Sequence, residues 1–347
     1  MERERIAEVR ERAARAVGIE PVPSAAGEPR RSAVPLRTGG GKPTLFLVPG
    51  QLGQIFHFKR VAERLRDDIP LVGLEAPGLY GDRQPIDDMT ELAAHFISEL
   101  RELQPHGPHL LGGFSAGAQI AYEMAAQLEA KGDPPHLLLF DYGPGYADVP
   151  SGLRATLLSP FHWVHHHWTN YWGLEGQRRA AYRRGVITQQ IRRNSRRLGF
   201  DPDGWAYQKW TARHARDAPD RVELPGHAAV RSALRTAGNQ WEWGRPAFGQ
   251  PFTVFRAKVQ RLGSAPDEFL GFDDATAPGG VDVRHVPGMH EYLFIEPHLF
   301  SLIPEVEDWV DRVTAETAMA DRSAEDHRTE AGSVVAGGGF EPPTKGL

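Results

Sequence analysis

The sequence predicts an α/β fold, with a mostly parallel central sheet, helices on both of its faces and a large, mostly helical insertion. Short apolar runs bounded by Pro or Gly, which are typical of buried strands, alternate with longer segments whose apolar residues recur at helical spacing. Because consecutive parallel strands need a crossover, this alternation favours a parallel sheet covered on both faces. The alternation stops near residue 142 and resumes at residue 252, which predicts the insertion.

The alternating elements begin after Pro43. The predicted strands are residues 45–48, 71–74, 109–113, 137–140, 252–255 and 281–286. The predicted helices are residues 57–66, 90–103, 116–131 and 299–313. We therefore expect a folded domain over residues 43–313, in which residues 143–250 form a lid over the carboxyl edge of the sheet. Open parallel sheets bind their ligands at that edge.

The two ends of the chain have a different composition. Residues 1–42 combine a charged, weakly amphipathic segment with a stretch rich in Pro, Gly and Ser, which predicts an N-terminal helix and a flexible linker. Residues 314–347 are polar and end in a Gly-rich and Pro-rich stretch, which predicts a disordered tail.

Composition excludes several classes of protein. The net charge of −5 argues against nucleic-acid binding, and the absence of cysteine excludes disulfides, thiolate metal sites and a cysteine nucleophile. The apolar runs are far shorter than the roughly 18 residues of a membrane span, and the charged N-terminus does not resemble a secretory signal. Three adjacent histidines, at 165–167, point in different directions and do not predict a metal site. We expect a cytoplasmic protein without metal or cofactor.

A candidate nucleophile lies between the strand at 109–113 and the helix at 116–131. The segment Gly113-Phe114-Ser115-Ala116-Gly117 fits the pattern G-x-S-x-G in the strand–turn–helix setting that a nucleophile elbow requires. The serine must occupy a tight, strained turn that projects its hydroxyl above the sheet, and side chains at Gly113 and Gly117 would meet neighbouring backbone. The alternative is an ordinary turn in which Ser115 caps the helix.

An elbow serine needs a base and an acid, which follow it in the chain. Asp141 directly follows the strand at 137–140, at the edge where Ser115 also emerges, and Asp267 is the competing acid after the next strand. His290 follows the last strand and a Pro-Gly turn, which places it on a loop that can reach over the sheet edge. His285 within that strand and His298 at the start of the last helix are poorer candidates.

The oxyanion hole is expected from two main-chain N–H groups. One belongs to Ala116, which follows the nucleophile, and the other to Gln51 in the loop after the first strand. The alternative is that the loop at Gln51 is only a tight turn between a strand and a helix.

These residues resemble a known family, the type I-like thioesterase domains that end nonribosomal peptide synthetases and polyketide synthases. The resemblance covers about residues 33–312 and is most specific from Gln104 through Gly117, continuing to Ala125. Further similarity lies in residues 34–37, in residues 74–79, and in the segment from Gly280 through His298. The chain departs from the family pattern at Ala118 and at Gly271-Phe272, and its lid matches no version of the family lid that we can place.

The resemblance implies an α/β-hydrolase that cleaves thioesters. It favours Asp141 over Asp267, because the acid of this family follows the strand after the elbow helix. It implies Ser115 as nucleophile and His290 as base, acting on an acyl, peptidyl or polyketide chain held on the phosphopantetheine of a carrier protein, with release by hydrolysis or cyclisation. Residues 1–42 carry no carrier-protein motif, so we expect a free-standing thioesterase or a detached terminal domain. Two alternatives are a carboxylesterase or acyl-CoA hydrolase, and a catalytically silent carrier-binding protein.

A basic segment within the predicted lid is a candidate partner surface. Residues 177–198 contain eight arginines and no acidic residue. They predict either a docking face for an acidic carrier protein or its phosphate, or an ordinary solvated helix face. The arginines of the docking hypothesis are Arg178, Arg179, Arg183, Arg184, Arg192 and Arg193.

Overall fold

A computed structural model describes the chain in five stretches, residues 31–145, 224–259, 268–290, 293–295 and 298–336. Among these residues, seven strands form one sheet in the order β1-β3-β2-β4-β5-β6-β7. The strands are β1 (Ala33–Arg37), β2 (Leu45–Val48), β3 (Leu71–Leu74), β4 (Leu110–Phe114), β5 (His136–Phe140), β6 (Phe252–Val259) and β7 (Val281–Met289). The described helices are α1 (Phe56–Ala62), α2 (Met89–Leu103), α3 (Ala116–Glu129), α4 (His227–Gln240) and α5 (Leu299–Ala336).

The sheet is mostly parallel, as the sequence predicts. Strands β2 through β7 pair in parallel, and β1 alone among the described strands pairs antiparallel, with β3 at the edge. The carboxyl ends of the parallel strands therefore meet at one edge. This arrangement confirms the predicted fold class, since the sheet carries helices on both faces.

The two faces of the sheet have separate apolar cores. Phe46 and Val48 of β2 face one core, whereas Leu45 and Leu47 face the other, as the alternation of a strand requires. Helices α2, α3 and α4 cover the first core. Helices α1 and α5 cover the second, where Trp309 is fully buried. Both sides of these strands are buried, which explains why their sequences are continuously apolar.

Helix α2 shows how local sequence sets an element. Its N-cap Asp88 accepts a hydrogen bond from the main-chain N–H of Glu91 at 2.9 Å. Leu92, Phe96 and Leu100 then recur at helical spacing and are all buried. The predicted helix over residues 90–103 therefore matches α2 to within one residue.

The structure differs from the sequence prediction at the start of the folded part. Residues 33–37 fall in the predicted linker, but they form the edge strand β1. Pro35 makes this strand difficult to predict from the sequence pattern, because proline within a strand is tolerated only at sheet edges or bulges. Glu99 anchors the segment by accepting hydrogen bonds from the main-chain N–H groups of Ser32 and Ala33, at 3.1 and 3.2 Å.

The structure also differs at the other end of the chain. Helix α5 continues to Ala336, where the sequence predicts a disordered tail from residue 314. The extension contains six Ala and three Glu, which have high helix propensity, so a polar composition here does not exclude a helix. The N-terminal segment 1–30, the final residues 337–347 and lid residues 146–223 lie outside the described residues, and the division into domains stays a prediction.

No helix within the described stretches has the length and apolar character that a membrane crossing needs.

Candidate active site

Ser115 and Asp141 follow neighbouring strands at the same edge of the sheet. Phe114, the last residue of β4, pairs with Phe140, the last residue of β5. The next residue on each strand is Ser115 and Asp141, respectively. The register of two parallel strands thus brings the predicted nucleophile and the predicted acid to adjacent positions at the carboxyl edge.

The backbone of Ser115 has the strained conformation that an elbow requires. Its φ is 55° and its ψ is −129°, a region that residues other than glycine rarely adopt. Although Ser115 occupies the N-cap position of α3, its side chain makes no capping hydrogen bond. The alternative interpretation of an ordinary capping serine does not account for this strain, because an N-cap normally has extended backbone.

Three glycines allow the close packing of this turn. A Cβ at Gly113 would overlap the carbonyl oxygen of Gly117, and a Cβ at Gly117 would overlap the carbonyl oxygens that end β2. A Cβ at Gly50 would lie 3.1 Å from the Cβ of Ser115. The sequence analysis predicts the roles of Gly113 and Gly117 but misses Gly50, whose only signal is a glycine directly after a strand–proline junction.

The Asp141 carboxylate is held rigidly by the neighbouring strand. Asp141 is 1% exposed, and its own φ of 51° is a second strained backbone angle at this edge. Its main-chain N–H donates to the oxygen of Phe255, and its Oδ1 accepts from the N–H of Ala257, both at 2.8 Å. Burial of a carboxylate is costly without such partners, so these hydrogen bonds fix its position.

His290 contacts Asp141 directly. Its Nδ1 lies 3.0 Å from the main-chain oxygen of Asp141 and 3.2 Å from Oδ2 of the same residue. Both partners are acceptors, so Nδ1 carries the proton and donates to them. The lone pair of the neutral ring then lies on Nε2, which is the tautomer that a general base needs.

The ring of His290 stacks on the residue before the predicted nucleophile. The centroids of His290 and Phe114 are 5.0 Å apart at an interplanar angle of 27°. His290 is 8% exposed, and the ring centroid of Tyr142 lies 6.3 Å from that of His290. Phe114 and Tyr142 are site residues that the sequence analysis misses, since only their positions beside Ser115 and Asp141 mark them.

The other candidate histidines occupy different positions. His285 is exposed on β7, where its Nε2 lies 3.2 Å from a guanidinium nitrogen of Arg256. His298 precedes α5 and packs against Gly288, and burial lowers its pKa. These observations do not favour His285 or His298 over His290 as the general base.

The predicted oxyanion loop is a tight turn beside Ser115. The N–H of Gly53 donates to the oxygen of Gly50 at 2.8 Å, which closes a four-residue turn with Gln51 at its first corner. Ala116 opens helix α3, so its N–H belongs to the first turn of that helix. The structure therefore places both predicted donor residues on elements that adjoin Ser115.

Some predicted residues lie outside the described part of the chain. Asp267, the competing acid, is one of them, as are the three adjacent histidines at 165–167. The arginines of the docking hypothesis also lie outside it, at Arg178, Arg179, Arg183, Arg184, Arg192 and Arg193.

Comparison with known proteins finds similarity to thioesterase domains. A family model for the thioesterase domain matches residues 43–171. The nonribosomal peptide synthetase pngA of Aspergillus terreus is 31% identical over 130 residues, which are 38% of this chain and 13% of that protein. A non-reducing polyketide synthase of Pseudevernia furfuracea is 35% identical over 106 residues, which are 30% of this chain and 5% of that protein. The chain spans only 2–13% of the length of the curated relatives that it matches.

A solved structure shares the fold. The Vlm2 thioesterase domain, determined with a bound dodecadepsipeptide, superposes with a TM-score of 0.53 at 20% identity. The match covers 81% of this chain and 98% of that domain. The sheet order, the strained serine turn and the match over residues 43–171 together lead to one assignment. The chain has the α/β-hydrolase fold, matches the thioesterase-domain family model over residues 43–171, and resembles the thioesterase domains of nonribosomal peptide and polyketide synthases.

Proposed function

We propose that this protein is a serine thioesterase that releases an acyl, peptidyl or polyketide chain from the phosphopantetheine thioester of a carrier protein. The family match and the hydrolase fold support a hydrolase. The observation that carries the serine mechanism is the contact between His290 and the buried Asp141 beside the strained turn of Ser115.

The first half of the reaction forms an acyl-serine. The Oγ of Ser115 attacks the thioester carbonyl while Nε2 of His290 accepts the hydroxyl proton. Asp141 stabilises the imidazolium that results and keeps Nδ1 protonated. The N–H groups of Ala116 and Gln51 donate to the oxyanion, and the partial positive charge at the start of α3 adds to this stabilisation. The intermediate collapses, the C–S bond breaks, and His290 returns the proton to the leaving thiolate.

The second half removes the acyl group from Ser115. Water, or a hydroxyl or amine within the acyl chain, attacks the ester carbonyl while His290 accepts its proton. Water yields the free acid and an internal nucleophile yields a ring. In either case His290 returns the proton to Oγ, so the enzyme is regenerated without any cofactor.

The carrier protein is the proposed partner. Two of the similar proteins are named as a nonribosomal peptide synthetase and a polyketide synthase, and this supports a substrate delivered on a phosphopantetheine arm. Docking through the arginines of residues 177–198 and a cytoplasmic location both stay predictions.

The test is thiol release from a panel of acyl-pantetheine thioesters. Wild-type protein is expected to turn over, and Ser115→Ala is expected to lose at least about a thousandfold in kcat, because Ser115 forms the covalent intermediate. Ser98→Ala is the matched control. Ser98 is exposed on α2 and donates to the main-chain oxygen of His95 within the same helix, so its loss should leave turnover unchanged.

Three outcomes would contradict the proposal. Full activity in Ser115→Ala would remove the serine mechanism. A preference for small oxygen esters or acyl-CoA over pantetheine thioesters would favour the alternative of a carboxylesterase or acyl-CoA hydrolase. Binding of an acylated carrier protein by wild-type protein, without turnover of any thioester, would favour a silent carrier-binding protein.

A further inference from the structure

The turn that carries Gln51 is packed between Ser115 and helix α4. On one side, Gly50 approaches the Cβ of Ser115 so closely that an added Cβ would stand only 3.1 Å away. On the other side, a Cβ at Gly53 would lie 2.9 Å from Cγ1 of Val230 on α4. The turn is therefore closely packed against Ser115 on one side, and against Ala76 and α4 on the other.

A buried polar contact joins the end of this turn to the start of α4. Gln54, which directly follows the turn, is 3% exposed. Its Oε1 lies 3.0 Å from Nε2 of His227, the first residue of α4. Gln54 and His227 are 173 residues apart in the sequence, so only the tertiary structure brings them together.

The hydrogen-bond pattern of His227 determines its tautomer. The main-chain N–H of Leu224 donates to Nδ1 of His227 at 3.0 Å, so Nδ1 must carry a lone pair. The proton of the neutral ring is then on Nε2, and this group donates to Oε1 of Gln54. Nδ1 thus accepts a hydrogen bond from the loop that precedes α4, and Nε2 donates one to the residue that follows the turn beside Ser115.

We propose that His227 is a positioning residue that holds the turn of residues 50–53, and with it the N–H of Gln51, at the distance from Ser115 that an oxyanion requires. This inference rests on the proposed function, in which Gln51 is an oxyanion donor. In this proposal His227 acts through its hydrogen bond with Gln54 and not by contact with the substrate. It thereby couples α4, which lies within the predicted lid of residues 143–250, to the electrostatic part of the site.

The location of the contact favours positioning over simple stability. Helix α4 is already held by buried apolar residues, including Val230 and Leu234, and it packs against α2 and α3. The turn is also fixed at its far end, because the N–H of Ala76 donates to the oxygen of Gly53 at 2.9 Å. The hydrogen bond between His227 and Gln54 is directional, so it fixes the orientation of the turn relative to α4 in a way that apolar packing does not. This orientation matters because oxyanion stabilisation depends on the geometry of the donors.

Two substitutions of His227 separate its two nitrogens. In His227→Asn, the amide oxygen replaces Nδ1 as acceptor for the N–H of Leu224, but the shorter side chain does not reach Gln54. In His227→Gln, the amide nitrogen replaces Nε2 as donor to Gln54. A third variant, Gln54→Leu, removes the acceptor at nearly constant volume.

Of the two His227 variants, His227→Asn is expected to show the larger loss in kcat. His227→Asn should lose about tenfold in kcat with KM within about twofold, because displacing an oxyanion donor costs part of the hundredfold or more that its removal costs. His227→Gln should stay within about threefold of wild type. The double variant Gln54→Leu/His227→Asn should lose no more than the larger single loss, because both changes break the same contact.

A second assay does not depend on the thioester substrate. The rate at which a fluorophosphonate labels Ser115 should fall in His227→Asn and recover in His227→Gln, since the phosphoryl oxygen occupies the oxyanion site. The melting temperature of each variant is measured alongside. Wild-type labelling without turnover of any pantetheine thioester would refute the proposed substrate, yet the comparison of the His227 variants would still test this inference.

Two outcomes would overturn the inference. In the first, turnover and labelling are unchanged in His227→Asn and Gln54→Leu, so the contact does not affect the reaction. In the second, His227→Asn and His227→Gln lose activity equally and in proportion to a lowered melting temperature, so His227 acts only on stability. Wild-type protein that neither turns over nor labels at Ser115 would refute the proposed function and this inference together.

Discussion

Replacing the Asp141 carboxylate by an amide tests the acid–base pair most directly. In Asp141→Asn, the amide oxygen can keep the hydrogen bond from the N–H of Ala257, which measures 2.8 Å in the structure. The amide nitrogen then faces Nδ1 of His290, where Oδ2 stood at 3.2 Å. Two donors would oppose each other, so the ring is driven toward the tautomer with its proton on Nε2.

The size of the effect follows from these contacts. A histidine with the proton on Nε2 cannot accept the proton of Ser115, and a comparable change in serine hydrolases costs about 10⁴ in kcat. Here the main-chain oxygen of Asp141 lies 3.0 Å from Nδ1 and still favours the productive tautomer. We therefore expect a loss of about 10³ to 10⁴, with little loss of stability because Ala257 keeps its acceptor.

Asp141→Ala is expected to lower the free energy of unfolding more than Asp141→Asn does. The change to alanine removes the hydrogen bond from the buried N–H of Ala257 to Oδ1, at a cost of about 1–3 kcal/mol. The two variants should therefore share the loss of activity but differ in the free energy of unfolding. Asp267→Asn is the matched control for the acid, because Asp267 is the only other carboxylate that the sequence places in this role.

The assay is steady-state thiol release at saturating substrate, with urea denaturation for stability. Full activity in Asp141→Asn together with a thousandfold loss in Asp267→Asn would refute the assignment of Asp141. A loss in Asp141→Asn that tracks a large drop in the free energy of unfolding would also refute the reasoning, because the effect would then be structural.

Two further predictions concern the elbow and the response to acid. Gly117→Ala should abolish thiol release and lower the melting temperature, because its Cβ would overlap the carbonyl oxygens of Val48 and Pro49, whereas Gly41→Ala, which meets no atom within 4 Å, should leave both unchanged. Burial lowers the pKa of three histidines in the described stretches. The unfolded state therefore binds protons first as the pH falls below about 6.5, and stability should decrease from there to lower pH. These histidines are His95, His136 and His298. His136→Gln should reduce the difference in melting temperature between about pH 7.5 and 5.5, and an unchanged difference would contradict this account.

Much of the fold could be predicted from local patterns. The apolar runs of β2 through β5 and the helical spacing of α2 are properties of short segments, so the sequence alone predicts them. The same patterns do not predict β1, because Pro35 and the surrounding polar residues are typical of a linker. They also do not predict the continuation of α5 past residue 313, because a polar composition is common to disordered tails and exposed helices.

The candidate site, like the fold, could be predicted from local sequence only in part. The glycine pattern around Ser115 predicts its strained turn, since only a few residue types tolerate such close packing of backbone. The choice between Asp141 and Asp267 cannot be made from local sequence. It depends on the register of β4 with β5 and on the return of the chain to His290, 149 residues after Asp141.

By itself, the sequence determined the alternation of strands and helices from β2 to β5 and the turn that presents Ser115, because periodicity and glycine placement act over a few neighbouring residues. Only the tertiary structure decided which distant groups meet. It joined His290 to Asp141 and His227 to Gln54, and it placed Gly50 against Ser115. Such contacts follow from sheet order, strand register and the packing of helices on both faces, and no short segment encodes these properties alone.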